Sequence, residues 1–287
     1  MKILVTGAGG QLGKSLAKSA DAFPEHELVF FDRDSLDITN KDSCLGQIIS
    51  DFDFCINTAA YTAVDAAEDN WSDAHAVNST GVYNLAEACE LANVRLIHIS
   101  TDYVFPGEKS SPYLETDATW AKTAYGETKL RGEEAVLAKT KNGIVIRTSW
   151  MFSAFGNNFV KTMLKLGDKL NQISVVSDQV GSPTSAHDLA DFLLATISHL
   201  QFKEDKPAIY HYVNSGVASW YDFSRAVMEL SDKKCIVHPI TTEQYPTRAK
   251  RPPYSVLSTQ KIQKTFCLYP PKHWRDALQH VIELLAA

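Results

Sequence analysis

No apolar run in this 287-residue sequence approaches the roughly 18 residues needed to cross a membrane, and no charged segment followed by an apolar one opens it. We therefore expect neither membrane insertion nor secretion. A basic excess is also missing, because the formal net charge is −6, which argues against a nucleic-acid partner. The nine histidines show no H-E-x-x-H spacing, and we predict no metal site.

Cysteine is scarce, and its spacing is that of isolated thiols. The five cysteines form no C-x-x-C pair and are Cys44, Cys55, Cys89, Cys235 and Cys267. An odd number of widely spaced cysteines indicates reduced thiols and a cytoplasmic protein. The length, with 45% hydrophobic and 22% charged residues, suits one large domain or two small ones around a buried core.

Short apolar runs alternate with helical patterns over the first 150 residues. The runs are rich in β-branched and aromatic residues and cover 2–6, 27–32, 52–60, 94–101 and 143–150. Nearly continuous hydrophobicity is typical of strands buried on both faces of a parallel sheet. The clearest helical patterns run from 72 to about 93 and from about 121 to 139. This alternation predicts an α/β fold with a Rossmann-type, doubly wound parallel sheet.

Beyond Trp150 the alternation breaks down. A further helix is predicted over 186–200 and a further strand over 208–215, and the rest is rich in turns and proline. We expect a smaller C-terminal lobe that binds the substrate. The predicted units are 1–150, completed by about 185–215, for the dinucleotide, and 151–184 with 216–287 for the substrate.

The segment TGAGGQLG, residues 6–13, follows the first apolar run and opens a helical pattern. Gly7, Gly10 and Gly13 are spaced for a loop whose backbone turns tightly and approaches a pyrophosphate at the helix N-terminus. Gln11 and Leu12 occupy the first turn of that helix. We interpret the segment as a binding site for NADPH or NADH.

The second apolar run ends at Asp32, where an acid binds the adenosine ribose hydroxyls and favours NADH. Its neighbour Arg33 is placed to receive a 2′-phosphate instead, so the sequence leaves both cofactors open. Asp37 and Ile38 also have two interpretations. They flank the adenine, or Asp37 caps a helix that begins near Thr39.

Tyr125 and Lys129, in the segment YGETK, are four residues apart and share one face of a predicted helix. When hydride reduces a ketone, the carbonyl oxygen gains negative charge and needs a proton. A tyrosine with its ordinary pKa of about 10 is a poor acid at neutral pH, and a nearby ammonium lowers that pKa. Thr101 ends the fourth run, where strand ends line the ligand crevice. We predict that these three residues are catalytic.

These features resemble the extended short-chain dehydrogenase/reductases, and more narrowly the dTDP-4-dehydrorhamnose reductase family. The blocks that carry the narrower resemblance keep the family's order over most of the chain: NTAAYTAVDAAE (57–68), VNSTGVYNLA (77–86), STDYVFPG (100–107), YGETKLRGE (125–133), RTSWMF (147–152), GNNFVKTML (156–164), DQVGSPT (178–184) and RPPYSVL (251–257). The resemblance implies that Thr101, Tyr125 and Lys129 form the catalytic triad. Tyr125 would protonate O4 while the nicotinamide delivers hydride to C4 of dTDP-4-dehydro-L-rhamnose.

The same resemblance implies further contacts. Those around the cofactor are Asn57, Ala59, Ala60, Tyr61 and Asn78, and those around the substrate are Asp102, Tyr103, Trp150 and Arg251. Trp150 would pack against the sugar or the thymine, and Arg251 would fork onto the diphosphate. Other interpretations stay open at this point: a core tryptophan for Trp150, a surface arginine for Arg251 and a helix hydrogen bond for Asn78.

Tyr103 separates the chain from the sugar-nucleotide 4,6-dehydratases, which resemble STDEVYG here and use the aspartate and glutamate to eliminate water. A tyrosine cannot take over that carboxylate's role as a base at neutral pH.

Two other functions remain as hypotheses: a nucleotide-sugar epimerase that recycles a tightly held NAD, and a non-catalytic regulatory subunit of the methionine adenosyltransferase type. A homodimer is a further hypothesis. Ala121 lies in the region where the family commonly has a proline. A proline there would stiffen the loop that leads into the helix, and this chain lacks that restraint.

Overall fold

The computed structural model of the protein describes residues 1–197, 206–266 and 270–286. Its strands are, in chain order, β1 (Lys2–Thr6), β2 (Glu27–Phe31), β3 (Phe54–Asn57), β4 (Arg95–Thr101), β5 (Ile144–Thr148), β6 (Met151–Phe152), β7 (Gln172–Val176), β8 (Val180–Gly181), β9 (Thr184–Ser185), β10 (Ala208–His211), β11 (Ala218–Ser219) and β12 (Ile236–Ile240).

The α-helices are α1 (Gln11–Ser19), α2 (Lys41–Gln47), α3 (Val64–Ala67), α4 (Trp71–His75), α5 (Val82–Ala92), α6 (Ala124–Lys139), α7 (Phe159–Lys169), α8 (Ala186–Ile197), α9 (Trp220–Leu230), α10 (Gln260–Phe266) and α11 (Trp274–Ala286). A π-helical turn, Ala76–Gly81, joins α4 to α5. Short 3₁₀ helices cover Ala20–Ala22, Asp102–Val104 and Thr242–Gln244.

Six parallel strands form the central sheet in the order β10-β5-β4-β3-β1-β2. The chain runs outward from β1 to β2 and then returns to β3 on the other side of β1. This reversal places a crevice between β1 and β3 at the carboxyl edge of the sheet, where ligands bind in such folds. The Rossmann-type parallel sheet predicted from the sequence is confirmed.

Side chains on alternate strand positions enter two separate cores. Ile3 and Val5 face the core beneath α1 and α8, whereas Leu4 faces the core beneath α2 and α5. Both sides of the sheet are covered, which explains the nearly continuous hydrophobicity of the strands. A third core, which includes Phe152 and Phe223, joins α7, α9 and α11 in the C-terminal part. The division into two domains stays a prediction.

Several predicted boundaries differ from the observed ones. The predicted helix 72–93 is interrupted by the π-helical turn and ends at Asn93, whose φ of 56° is left-handed. Helix α6 begins at Ala124, later than predicted, because the Thr123 hydroxyl caps it by accepting from the Gly126 N–H at 3.0 Å. The last part of the predicted helix 186–200 lies outside the described residues.

The remaining expectations concern thiols, membranes and metals. Four cysteines are buried free thiols, namely Cys44, Cys55, Cys89 and Cys235, and Cys267 lies outside the described residues. Across residues 1–197, 206–266 and 270–286, no helix is long and apolar enough to cross a membrane. Over the same part of the chain, no group of three histidine, cysteine or acidic side chains is arranged to hold a metal ion.

A buried ion pair fixes α6 to the sheet. Glu133 on α6 accepts from Arg147 Nε at 2.9 Å and from Nη2 at 2.7 Å, and both side chains are almost fully buried. Ser100 on β4 donates a further hydrogen bond to Glu133 Oε1 at 2.5 Å, and Phe105 lies against the guanidinium. The acidic and basic members are thus both paired and hydrogen-bonded, as buried charges require.

We expect Glu133→Gln to lower the free energy of unfolding by about 3–5 kcal/mol, because it leaves the buried Arg147 charge without its partner. Glu127→Gln is the matched control, since Glu127 lies on the same helix and pairs with Arg131 in an exposed ion pair. The control should cost less than about 1 kcal/mol. Urea unfolding of the two variants measures both values, and equal losses would contradict the argument.

Candidate active site

The glycine loop after β1 is built for close approach of two backbones. Gly7 has a φ of 69°, and a Cβ at that position would lie 2.6 Å from the Ala59 nitrogen. A Cβ at Gly13 would lie 2.6 Å from the Gly7 carbonyl oxygen. A side chain at Gly7 would therefore push the loop away from the segment after β3, into the space that a pyrophosphate needs. A side chain at Gly13 would clash with the loop itself.

Helix α1 begins directly at this loop and points its N-terminus into the cleft. Gly10 occupies the N-cap position and has no side chain to bond the first-turn N–H groups, which include those of Gln11 and Leu12. Such groups bind anions readily. Gln11 Oε1 accepts from Ser153 Oγ and Asn158 Nδ2, both at 3.0 Å, and so ties the loop to the region before α7.

The predicted adenosine contacts lie at the end of β2 and after it. Asp32 accepts from the Ser35 N–H at 3.0 Å and from its hydroxyl at 2.7 Å, so its carboxylate is held in a tight turn. The Ser35 hydroxyl bond lowers the pKa of Asp32. Arg33 is 83% exposed and lies 3.9 Å from Asp37. Its guanidinium is therefore accessible to a 2′-phosphate.

The hypothesis that Asp37 caps a helix is wrong. Asp37 accepts from the backbone and hydroxyl of Thr39 in a local turn, and Asn40 caps α2 by accepting from the Asp42 and Ser43 N–H groups. The side chain of Ile38 is buried in the core against Gly81.

The segment after β3 is held by two asparagines. Asn57 Oδ1 accepts from the Ala59 N–H at 3.1 Å. Asn78, in the π-helical turn, accepts from the Tyr61 N–H at 2.9 Å and donates to the Tyr61 carbonyl at 3.0 Å. It also donates to Thr128 Oγ1 at 3.1 Å, which connects this segment to α6. Ala60, in the same segment after β3, lines the cleft.

Thr101 and Tyr125 meet at the carboxyl edge of the sheet. Thr101 ends β4, and its hydroxyl donates to Asp102 Oδ1 at 3.0 Å. Burial raises the pKa of the Tyr125 hydroxyl to about 12, a hydrogen bond with Thr101 opposes this shift, and the charge of Asp102 adds to it. Tyr125 therefore carries its proton at neutral pH. The ring of Tyr103 packs edge-on against that of Tyr125 with centroids 5.5 Å apart.

Lys129 is buried, with only 2% of its surface exposed. Its Nζ donates to the Ile99 carbonyl at 2.6 Å and lies 3.2 Å from His98 Nε2. Burial lowers the pKa of Lys129 to about 7. The expectation that its ammonium lowers the pKa of Tyr125 is not met, because burial shifts both groups toward their neutral forms.

Asp102 and Tyr103 follow Thr101 in a short 3₁₀ helix. Burial raises the pKa of the Asp102 carboxyl to about 6, against hydrogen bonds from Ser255 and Thr101. Burial also raises the pKa of Tyr103 above its usual range. Tyr103 lines the cleft as a neutral phenol and does not have the charge of a base.

Trp150 follows β5 and stands at the cleft wall with a left-handed φ of 47°. Its ring stacks on Trp220, with centroids 3.6 Å apart and an interplanar angle of 6°. A Cβ at Gly181 would lie 2.6 Å from the Trp150 ring. Trp150 is thus held as a flat wall by two neighbours that are distant in sequence.

Arg251 also lines the cleft, so it is not simply a surface arginine. Its guanidinium binds the Asp65 carboxylate with two hydrogen bonds, at 2.6 and 3.2 Å. Asp65 lies on α3, so the ion pair joins the C-terminal loop to the segment after β3. The same two guanidinium nitrogens are the groups that would donate hydrogen bonds to a diphosphate.

One cleft of about 1100 Å³ brings these parts together. Its walls include the start of α1, the predicted catalytic residues Thr101, Tyr125 and Lys129, the Trp150–Trp220 stack and Arg251. Several lining residues were not singled out from the sequence, and Trp220 and Thr148 are two of them. Trp220 gave no local signal, and Thr148 lies beside Thr101 in register on β5. Within the described part of the chain, the buried Thr148 hydroxyl has no hydrogen-bond partner, so it is available to a ligand.

Comparison with known proteins identifies the family. A family model described as the RmlD substrate binding domain matches residues 1–287. The chain belongs to this family. The predicted resemblance to dTDP-4-dehydrorhamnose reductases is thereby confirmed, since a protein of that name from Aggregatibacter actinomycetemcomitans is 43% identical over 98% of both chains.

Solved structures of the same kind share the fold of this RmlD-family chain. A dTDP-4-dehydrorhamnose reductase from Clostridium acetobutylicum superposes with a TM-score of 0.93 at 39% identity and 100% coverage of both chains. One from Bacillus anthracis, solved in complex with NADP, gives a TM-score of 0.91 at 34% identity and 99% coverage of both chains.

We expect Lys129→Met to raise the free energy of unfolding by about 2–4 kcal/mol at pH 7, because one pKa unit corresponds to about 1.4 kcal/mol and burial disfavours the cation. The folded pKa of Lys129 is about 7 against 10.5 for the free side chain, so the cost of burying the cation fades as pH rises toward 10. The advantage of the variant should therefore shrink over that interval.

Urea unfolding at several pH values between 7 and 10 measures this difference. Lys165→Met on α7 is the control, because Lys165 is exposed and its replacement should change stability by less than about 0.5 kcal/mol. If the Lys129 variant were less stable than wild type at pH 7, burial of Lys129 would not lower the free energy of unfolding, and the argument would be wrong.

Proposed function

We propose that the chain reduces the C4 ketone of dTDP-4-dehydro-L-rhamnose to dTDP-L-rhamnose with NADPH or NADH, as the last step of dTDP-rhamnose synthesis. The observation that carries the proposal is the convergence of Thr101, Tyr125 and Lys129 in the cleft that the glycine loop also lines. Relatives that match nearly the whole chain are named dTDP-4-dehydrorhamnose reductase. The polysaccharides of cell walls and O-antigens are the expected destination of such a product.

The bound nicotinamide supplies the hydride. The residues of the chain supply the proton and the geometry. Tyr125 Oη donates its proton to O4 as charge develops there, and the Thr101 hydroxyl bonds the same oxygen. Lys129, one turn further along α6, is the buried base and acid that exchanges protons near neutral pH. A neutral Tyr103 leaves no carboxylate beside Asp102 for elimination of water, which favours reduction over dehydration.

The cofactor contacts that support the proposal are those of the glycine loop, together with Asp32, Arg33 and Asp37. The tight Gly7–Ala59 approach and the uncapped start of α1 fit a pyrophosphate. The Bacillus anthracis relative was solved with NADP, and the exposed Arg33 is suited to a 2′-phosphate. Ala59, Ala60, Tyr61 and Asn78 remain proposed contacts, as does Ile38.

The substrate contacts that we propose are Asp102, Tyr103, Trp150 and Arg251. The flat Trp150 wall suits the sugar or the thymine ring, and the Arg251 fork suits the diphosphate. Since Asp65 already occupies that fork, the diphosphate would have to share or displace it. We further propose a cytoplasmic location and carry the homodimer as a hypothesis.

Two alternative functions predict different behaviour. An epimerase would retain a tightly held NAD through purification. A regulatory subunit of the methionine adenosyltransferase type would co-purify with a partner enzyme and consume no cofactor. An intact Thr101–Tyr125–Lys129 set favours a catalytic function over the regulatory subunit. An epimerase would keep the same tyrosine and lysine, and the names of the relatives favour reduction over epimerisation.

We expect Tyr125→Phe to reduce kcat at least about 100-fold, because loss of a positioned proton donor typically costs 10²–10⁴-fold. The measurement follows the absorbance of reduced nicotinamide with dTDP-4-dehydro-L-rhamnose as substrate. Tyr83→Phe, on an exposed position of α5, should leave the rate unchanged. Absence of turnover in folded wild-type protein with either nicotinamide would reject the proposed reaction.

Arg33→Ala should raise the KM for NADPH about tenfold, the effect of losing one charged hydrogen bond to an exposed phosphate. The KM for NADH should change less than about twofold, because that cofactor has no 2′-phosphate. Steady-state kinetics with both nicotinamides decides the point, and equal effects on the two would argue against a phosphate contact at Arg33.

A further inference from the structure

A row of polar side chains crosses the sheet beneath the catalytic helix. Thr6, Asn57 and His98 are in register on β1, β3 and β4, so they lie side by side on one face. Thr6 Oγ1 donates to Asn57 Oδ1 at 2.7 Å, and Asn57 Nδ2 lies 3.0 Å from His98 Nδ1. The row ends at Lys129, whose Nζ lies 3.2 Å from His98 Nε2. All four residues are buried.

The direction of each hydrogen bond in the row is determined by a backbone group. The Ala59 N–H can only donate, and it lies 3.1 Å from Asn57 Oδ1, so that atom is the amide oxygen and Nδ2 faces His98. Nδ2 can only donate, so His98 Nδ1 must accept. A neutral imidazole has one N–H, which is then on Nε2 and points at Lys129.

We propose that His98, oriented by Asn57, donates a hydrogen bond from Nε2 to the lone pair of Lys129 Nζ and thereby favours the neutral amine. His98 is a positioning residue in this scheme and touches no substrate. An ammonium at Lys129 would face this N–H donor with a donor of its own, whereas the amine can accept from His98 and still donate to the Ile99 carbonyl.

The surroundings of the two groups agree with this assignment. Burial lowers the pKa of His98 well below its usual value, and Lys129 lowers it further. The charged group that favours the Lys129 cation is Glu133, one turn further along α6, and its charge is shared with Arg147 on β5. Titratable groups at the cleft end include Tyr125 on α6 and, after β4, Asp102 and Tyr103. A Cβ at Gly132 would lie 3.4 Å from His98 Nε2, so α6 approaches closely over the ring.

The consequence for the reaction rests on the proposed function. After Tyr125 Oη has given its proton to the substrate oxygen, the resulting phenolate takes up a proton from the Lys129 ammonium, which restores the phenol. The Nζ–H bond breaks, its electron pair stays on nitrogen, and that lone pair accepts from His98 Nε2–H. His98 thus stabilises the form that Lys129 takes after donating, and makes Lys129 a stronger acid.

The hydrogen-bond direction can be tested without turnover. In ¹⁵N-histidine-labelled protein, we expect the His98 resonances to show a neutral ring with its proton on Nε2, assigned by their loss in His98→Asn. Asn57→Asp replaces the donor that faces His98 with an acceptor, so the proton should move to Nδ1. A wild-type ring protonated on Nδ1 would overturn the proposal.

The kinetic test uses the pH dependence of kcat/KM for reduction with saturating cofactor. In wild type it should decline as pH rises through the pKa of Lys129. His98→Asn keeps an acceptor for Asn57 but removes the donor facing Lys129, and we expect the midpoint to rise by about one pH unit, the value of one hydrogen bond. Asn57→Asp should shift it in the same direction while retaining the volume of the histidine ring.

Thr6→Val is the matched control at the far end of the row. The Ala59 N–H still orients Asn57 in this variant, so the midpoint should stay where it is in wild type. An unchanged midpoint in both His98→Asn and Asn57→Asp would refute the role of His98. If no variant and no wild-type sample reduces the sugar nucleotide, the proposed function fails, and the ¹⁵N spectra still decide the direction of the hydrogen bond.

Discussion

The buried ion pair of Glu133 and Arg147 holds helix α6 in place, and the geometry of the cleft depends on it. Helix α6 carries Tyr125 and Lys129, and Glu133 is the next residue on the face of Lys129. Arg147 is fixed in β5, and Ser100 in β4 bonds the same carboxylate. Two neighbouring strands therefore set the height of the helix above the sheet. A helix carried only by apolar contacts would have less directional restraint.

The parallel sheet supplies the second constraint. All six strands end at one edge of the sheet. The chain adds β2 on one side of β1 and β3 on the other, and this change of side opens a crevice between β1 and β3 at that edge. The glycine loop, the asparagine-held segment after β3 and Thr101 all reach the cleft because each follows a strand of this sheet. Trp150 after β5 and Arg251 in the C-terminal part close the remaining side of the cleft, and they come from segments far apart in sequence.

Much of this arrangement could be predicted from the sequence. Continuous apolar runs indicated buried parallel strands, the glycine spacing indicated a dinucleotide loop, and the four-residue spacing placed Tyr125 and Lys129 on one helical face. Each of these signals is local, because it depends only on hydrophobic periodicity or on the spacing of residues within one short segment. The family resemblance added Trp150 and Arg251, which no local pattern could place at a cleft.

What the sequence could not predict depends on contacts across the sheet. Thr6, Asn57 and His98 are more than 40 residues apart from one to the next, and only strand register brings them into a row. The stack of Trp150 on Trp220 is equally non-local, as is the pairing of Arg251 with Asp65. The expected lowering of the Tyr125 pKa was wrong because burial, which a sequence does not reveal, is the largest influence on that hydroxyl and raises its pKa.

The position of the Lys129 amine has a chemical consequence of another kind. A neutral primary amine beside a ketone is a nucleophile, and addition to the carbonyl carbon followed by loss of water would give an imine. In the structure Nζ lies 2.6 Å from the Ile99 carbonyl oxygen and 3.2 Å from His98 Nε2, and in the proposed scheme its lone pair accepts from His98. The hydrogen bonds that we propose for proton exchange at Lys129 would thus also keep its lone pair from a keto-sugar in the cleft.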